Sequence, residues 1–351
     1  MESSQILIVR HGPGRGRNPG YLDAVLEYFE QQAPDFYSRI GLHATGSPKP
    51  PDLSNVRAVL FWLGDPLRES YPECFAEAQE IVADAQARGI RSLNRPEALS
   101  NTIKTRQSEI WKSAGILTPA HTEFQTREEL LELGETHSYP LIVKGNQMHA
   151  QKGMHFCRSF EELERIPHAA LRFPGAVAEF IETRAGYETA RPGSVWSRYY
   201  HKKRTILFGD LVHPRHVFFS DHPVVGIKTS ILKSYAFSRR KNHLGWIADW
   251  RLKRHPEHQQ CLAEDYAFYS APPEAPEVMR LAARSLGLDV LGIDYSTLAD
   301  GRVVLWEANP YFDLPGPRKY ILPKQRHFEE RFHGFYAAFR EFLEGLLDER
   351  D

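Results

Sequence analysis

Residues 287–294, GLDVLGID, and residues 302–310, RVVLWEANP, carry the reading on which the fold of this 351-residue chain turns. The apolar runs 290–298 and 303–307 predict two strands, and Asp300-Gly301 between them predicts a two-residue hairpin turn. Such a turn sets the register: cross-strand partners sum to about 601, so Asp294 stands opposite Glu307, with side-chain roots about 5 Å apart. Two facing bare carboxylates destabilise a sheet and need compensation. Asn309 falls on the same face as Glu307 and adds a neutral oxygen. Two carboxylates and an amide form a hard-oxygen set suited to magnesium bridging nucleotide phosphates. The competing reading is that one carboxylate faces solvent or pairs with a nearby arginine, and register alone does not separate the two.

Upstream, QILIV (5–9) reads as a buried strand, followed by the glycine-rich residues 11–20 and a helix through Leu22, Val25, Leu26 and Phe29. The pattern returns as a strand at 56–62, a helix at 73–88 closed by Gly89, and a strand at 90–93. Strand alternating with helix predicts a small parallel α/β layer over residues 1–100. Residues 101–183 then read as an α+β unit. It comprises a helix at 101–114, a capping box at Thr126 to Glu129, and strands at 139–144, 154–157 and 176–181, with a short helix at 159–165. Residues 184–351 open with strand runs at 198–208 and 211–220 around Gly209-Asp210. A helix at 275–286, the 300–301 hairpin and a helix at 328–347 with an aromatic core stripe complete the chain.

Composition excludes several classes. The chain is 42% hydrophobic and 25% charged, as expected of a folded globular protein. Its 44 basic and 45 acidic side chains leave a net charge of -1, so no global field attracts nucleic acid or an anionic membrane. Cys74, Cys157 and Cys261 are odd in number and lack CxxC spacing, which argues against a disulfide framework and a zinc cluster and suits a reducing cytoplasm. No apolar run is long enough for a membrane span, and the first ten residues do not resemble a signal peptide.

The segment GLDVLGID with LWEANP resembles the metal-binding end of ATP-grasp enzymes, the superfamily that includes D-alanine–D-alanine ligase, biotin carboxylase and glutathione synthetase. The resemblance continues backward in order through TIKTR (102–106) with GILTP (115–119), PLIVK (140–144), QKGM (151–154) and EFIE (179–182). It implies a three-subdomain ATP-grasp fold: an N-terminal Rossmann-like domain at 1–100, a lid subdomain at 101–183 and a C-terminal metal-bearing subdomain at 184–351. It further implies that Lys104, Lys144, Lys152 and Lys228 approach nucleotide phosphates, and that Glu179, Phe180, Ile181 and Glu182 form the hinge reading adenine and ribose. Asp294, Glu307 and Asn309 would hold Mg2+, two ions in all, with Mn2+ able to substitute. Arg198, Arg215 and Arg318 are the candidates for the arginine that stabilises developing negative charge. The implied reaction is ATP-dependent activation of a carboxylate as an acyl phosphate and its capture by an amine. The substrates would be small molecules, such as amino acids or peptides, acting in the cytoplasm. Membrane and nucleic-acid partners are not expected, and a homodimer is the assembly left open. Two other readings share the scaffold: an ATP-binding regulator, and a small-molecule kinase.

Three features lie outside this scheme. The glycines at 11–20 do not match a dinucleotide fingerprint, but a loop at the carboxyl edge of an α/β layer places His11, Arg15 and Arg17 as contacts for an acidic substrate. Residues 228–255 interleave Lys233, Arg239, Arg240, Lys241, Arg251, Lys253 and Arg254 with Tyr235, Phe237, Trp246 and Trp250, reading as a substrate or partner surface or a solvated loop. His213 and His216 lack a third ligand at metal spacing.

Overall fold

The computed structural model describes residues 5–16, 18, 22–148, 153–184, 194–232, 237–238, 250–298, 300–312, 320–321 and 326–348. The first sheet consists of β1 (Ile6–Arg10), β2 (Ile40–Ala44), β3 (Ala58–Phe61) and β4 (Arg91–Leu93). Its order is β2-β1-β3-β4, all parallel. Both faces of β1 are covered, Ile6 and Ile8 in one core and Leu7 and Val9 in another, which is why its sequence runs apolar without alternation. Edge strand β2, IGLHA, escapes sequence reading because it is short, contains glycine and is only partly buried.

The second sheet is antiparallel, ordered β5-β8-β6-β7 from β5 (His121–Phe124), β6 (Leu141–Gly145), β7 (His155–Cys157) and β8 (Gly175–Glu179). It packs on the helices Arg127–Thr136 and Phe160–Glu164 through a core of its own that includes Phe124, Leu130, Leu141, Val143, Leu163 and Val177. The capping box forms: Thr126 Oγ1 accepts from the Glu129 N–H at 3.2 Å, and the Glu129 carboxylate reaches back to the Gln125 N–H.

The third sheet, ordered β10-β9-β12-β13, comprises β9 (Tyr200–Phe208), β10 (Leu211–Ser220), β12 (Val290–Thr297) and β13 (Val303–Asn309). The two-residue strands β11 (Phe237–Ser238) and β14 (Tyr320–Ile321) pair separately. Helix Pro256–Ser270, which lacks a clean apolar stripe and is not legible in the sequence, lies against β10. Helix Arg326–Asp348 brings its expected aromatic stripe to the sheet, with Phe339 stacked on Phe208.

Two cores bind the first and third sheets together. One joins Leu7, Val59, Phe61 and helix Pro72–Ala87 to Leu207, Leu291 and Ile293, and takes in Trp111 and Ile116. The other joins Ile6, Ile8, Leu60 and Trp62 to Ile206, Phe208, Val290 and the C-terminal helix. At the seam, buried Asn94 exchanges four hydrogen bonds with Asp289 and Val290 at 2.7–2.9 Å.

Candidate functional site

The β12–β13 hairpin differs from the expected one in a way that preserves its chemistry. Near the turn the partners are Thr297 with Val303, Ser296 with Val304 and Tyr295 with Leu305, a register one residue short of the expected sum. Leu298 N–H donates to Arg302 O at 2.8 Å, so the turn closes between Leu298 and Arg302, with Gly301 at φ 82°. A bulge at Trp306 adds the missing residue, and beyond it Asp294 does face Glu307. Trp306 Nε1 donates to Ser296 Oγ at 2.8 Å and anchors the bulge.

Asp294 also neighbours Arg204 on β9, and Arg204 neighbours His216 on β10, so His216, Arg204, Asp294 and Glu307 form one row across the sheet. Asp294 is fully buried. Its Oδ1 accepts from Arg204 Nε at 2.5 Å, and its Oδ2 accepts from Arg204 Nη2 at 2.9 Å and from Lys202 Nζ at 2.7 Å. Burial pushes the Asp294 carboxyl up, but Arg204 and Lys202 together outweigh it and hold the group below the usual carboxylate range. The paired-arginine reading of the hairpin is therefore realised at Asp294. Lys202 and Arg204 were missed because KKR (202–204) reads as an ordinary charge run. Strand alternation points Lys202 and Arg204 into the site, while Lys203 points to the opposite face and binds Glu274.

Two lysines approach Glu307 from the other side. Lys104 begins the helix Lys104–Ser113, is buried, and donates to Glu307 Oε1 at 3.1 Å and to Met148 O at 2.6 Å. Lys144 lies in β6, and burial with the nearby charges of Lys104 and Lys202, opposed by Glu307, lowers its ammonium from the ordinary 10.5 to about 7. Buried Asn146 fixes the two lysines relative to each other. Its Oδ1 accepts from the Thr105 N–H at 3.1 Å and its O from the Lys104 N–H at 3.2 Å, while Nδ2 donates to Thr105 Oγ1 and Glu123. It thus supplies the helix cap that Ile103 lacks. Its position two residues after the strand lysine, directly beyond the end of β6, was the available signal.

The residues expected to form the hinge, 179–182, run on from the last residue of β8. Glu179 is exposed and bonds to Ala120 through backbone and side chain, while Phe180 stands edge-on to Phe156 and 6.2 Å from Tyr200. Ile181 and Glu182 are half-buried. Glu182 is engaged within the protein: Oε1 accepts from Arg184 N and Nε, and Oε2 from Arg184 Nη2 at 3.0 Å and Tyr200 Oη at 3.3 Å. The Arg184 guanidinium lies 3.9 Å from the Tyr200 ring centroid.

The arginine candidates fare differently. Arg215 does not join the row. The bulge between Pro214 and His216 displaces it, and its buried guanidinium donates to Arg331 O and lies over Phe332. Burial lowers that guanidinium to about 10, and Arg204 stands at the site instead. Arg198 is exposed and lies over the Tyr199 ring. Lys228 is exposed on the turn beginning at Gly226, outside the row. Lys152 and Arg318 lie outside the described residues, as do Arg17 and most of the basic aromatic segment. Within the latter, Arg254 packs on Trp250. His11 is part of the scaffold: Nε2 accepts from the Gly64 N–H at 2.7 Å, Nδ1 faces Cys74 Sγ at 3.5 Å, and burial lowers the imidazole to about 4. Its ring stands 4.6 Å from Tyr71 and 6.0 Å from Tyr311, which brings the loop after β1 to the end of β13. Arg15 pairs with Glu73.

These residues fit a divalent cation only in part. Glu307 and Asn309, whose buried Nδ2 has no hydrogen-bond partner, present a carboxylate and an amide beside Lys104. Both oxygens of Asp294 are already taken by cations. Among the described residues no group of three or more His, Cys, Asp or Glu side chains is arranged to hold a metal. No helix among them is long and apolar enough to cross a membrane.

Comparison with known proteins establishes the ATP-grasp fold. The RimK-domain ATP-grasp protein of Sphaerobacter thermophilus superposes with a TM-score of 0.52 at 12% identity, covering 96% of this chain and 98% of that one. The ATP-grasp ligase PsnB, solved with a phosphomimetic variant of its minimal precursor, Mg and ADP, gives 0.54 at 13% identity, covering 98% and 99%. D-cycloserine synthetase DcsG gives 0.50 at 12%, covering 87% and 91%. At sequence level, 111 residues are 27% identical to the carbamoyl phosphate synthase large chain of Hyperthermus butylicus, a match over 30% of this chain and 10% of that protein. No protein-family model matches the chain.

Proposed function

We propose that the protein is an ATP-dependent carboxylate–amine ligase. The observation that carries this reading is the meeting of Lys104, at the start of its helix, and Lys144, within the second sheet, with Glu307 of the third, which faces Asp294. Four cations, Lys104, Lys144, Lys202 and Arg204, surround two carboxylates, a balance that suits a triphosphate. The likeness to ATP-grasp structures supports nucleotide binding between those sheets, and the same division into 1–100, 101–183 and 184–351 accompanies the proposal. A bound Mg2+, held by Glu307 and Asn309, would neutralise phosphate charge during transfer.

A substrate carboxylate oxygen attacks the γ-phosphorus while its bond to the ADP oxygen breaks. An amine then attacks the acyl carbon, loses a proton, and expels inorganic phosphate. Lys104 and Lys144 orient phosphate oxygens as compact charges, and Arg204 holds Asp294 in place. Phe156, Phe180 and Tyr200 offer an aromatic surface for adenine beside Glu179. PsnB was solved with a precursor, DcsG is a D-cycloserine synthetase, and the carboxylate and amine proposed here are likewise small molecules, amino acids or peptides. The proposed setting is the cytoplasm.

The test is ADP release in the presence of Mg2+ over pooled carboxylates with and without amines. Release that needs both supports ligation; a stable phosphorylated product with no amine requirement overturns it. Glu307→Gln is expected to lower turnover by at least about a hundredfold without changing the melting temperature, and unchanged turnover would remove Glu307 from the site.

A further inference from the structure

Asp294, placed by register where a second metal ligand belongs, is saturated with protein cations. Arg204 binds it through two nitrogens and Lys202 through a third contact at 2.7 Å. Arg204, in the row, is directed by the fork of its guanidinium, which meets both Asp294 oxygens, whereas Lys202 contributes a point charge, as a metal ion does. The Lys202 side chain is 18% exposed, and its charge acts on Lys144, the lysine proposed above to orient phosphate. Strand alternation along β9 commits Lys202 to this face, because Lys203 is pinned on the other by Glu274, Thr297 and the Trp196 ring.

Resting on the ligase reading, we infer that the Lys202 ammonium takes the position of a second divalent cation, so that the nucleotide-loaded site holds one metal ion, on Glu307 and Asn309, instead of two. Displacing Lys202 with a second ion would bring further positive charge against Arg204 and Lys144 and strip the ammonium of its carboxylate. The protein thereby carries one of its phosphate counter-ions covalently and needs less free metal to load nucleotide.

The test counts Mn2+ in the complex of full-length protein with the non-hydrolysable analogue adenylyl imidodiphosphate, by equilibrium dialysis with electron paramagnetic resonance of the free ion. The wild type is expected to bind about one Mn2+ per bound nucleotide, Lys202→Arg about one, and Lys202→Met about two, with a weaker second site. Two tightly held Mn2+ ions in the wild type overturn the inference while leaving nucleotide binding, and with it the ligase reading, intact. Failure to bind the nucleotide at all overturns both. If Lys202→Met does not fold, the wild-type count decides alone.

Discussion

Lys144 shows what a single position in this site costs and does. Its folded pKa, about 7, lies below the ordinary 10.5, so the unfolded chain binds more protons between those values. Lys144 therefore opposes folding fully below about pH 7, and that opposition fades as pH rises toward 10.5. Phosphate binding reverses the preference, since an anion favours the charged ammonium. Nucleotide affinity is expected to fall as pH rises through 7, with net proton uptake on binding at pH 8. Calorimetry in buffers of different ionisation enthalpy measures this uptake, and Lys144→Met should abolish it. An unchanged uptake in the variant would assign the proton elsewhere. Lys144 was legible in the sequence because an apolar run delivers it to the end of a strand. Lys202 and Arg204 were not, since nothing in KKR distinguishes two site cations from a structural one without strand phase.

Among elements, the β12–β13 hairpin combines correct pairing with an incorrect turn. The turn has one residue more than expected and the bulge at Trp306 restores the count, so Asp294 and Glu307 meet after two compensating deviations. On β9–β10 the two-residue Gly209-Asp210 turn forms as expected, with Phe208 facing Leu211, but the later bulge puts His216 beside Arg204 where unbroken register would put Arg215. Bulges are specified by side-chain packing across strands and leave little local trace. The helix Lys104–Ser113 depends on Asn146 from outside itself for its cap. Asn146→Ala should cost about 1–3 kcal/mol of stability. It should also weaken nucleotide binding, because Lys104 loses its fixed starting point. Melting temperature and nucleotide dissociation constant report the two effects separately. A variant as stable as wild type would show the cap to be dispensable.

Across the whole molecule, the first and third sheets share two cores while the second keeps its own. Two transitions are expected in scanning calorimetry, the smaller from the unit around Phe124 and Val143. Adenylyl imidodiphosphate should raise that smaller transition, since ligand bound between the units stabilises the weaker one. A single transition unaffected by the analogue would contradict this. At the seam, Asn94→Ala removes the three hydrogen bonds made by the Asn94 side chain, at a residue with φ 49°, and should destabilise the larger unit by about 3 kcal/mol, read from its denaturant midpoint. The α/β alternation of the first hundred residues was legible, but its fusion to a sheet some two hundred residues later was not, because apolar faces do not name their partners.

The C-terminal helix has a consequence for synthesis. Phe339 lies against Trp62 and Phe29, and the Leu347 carbonyl accepts a hydrogen bond from Arg57. The strands of the first sheet therefore wait for residues made some three hundred positions later before one of their faces is covered. Vectorial folding can complete the second sheet before that helix is made, but the first sheet stays open to chaperones until helix Arg326–Asp348 has been synthesised.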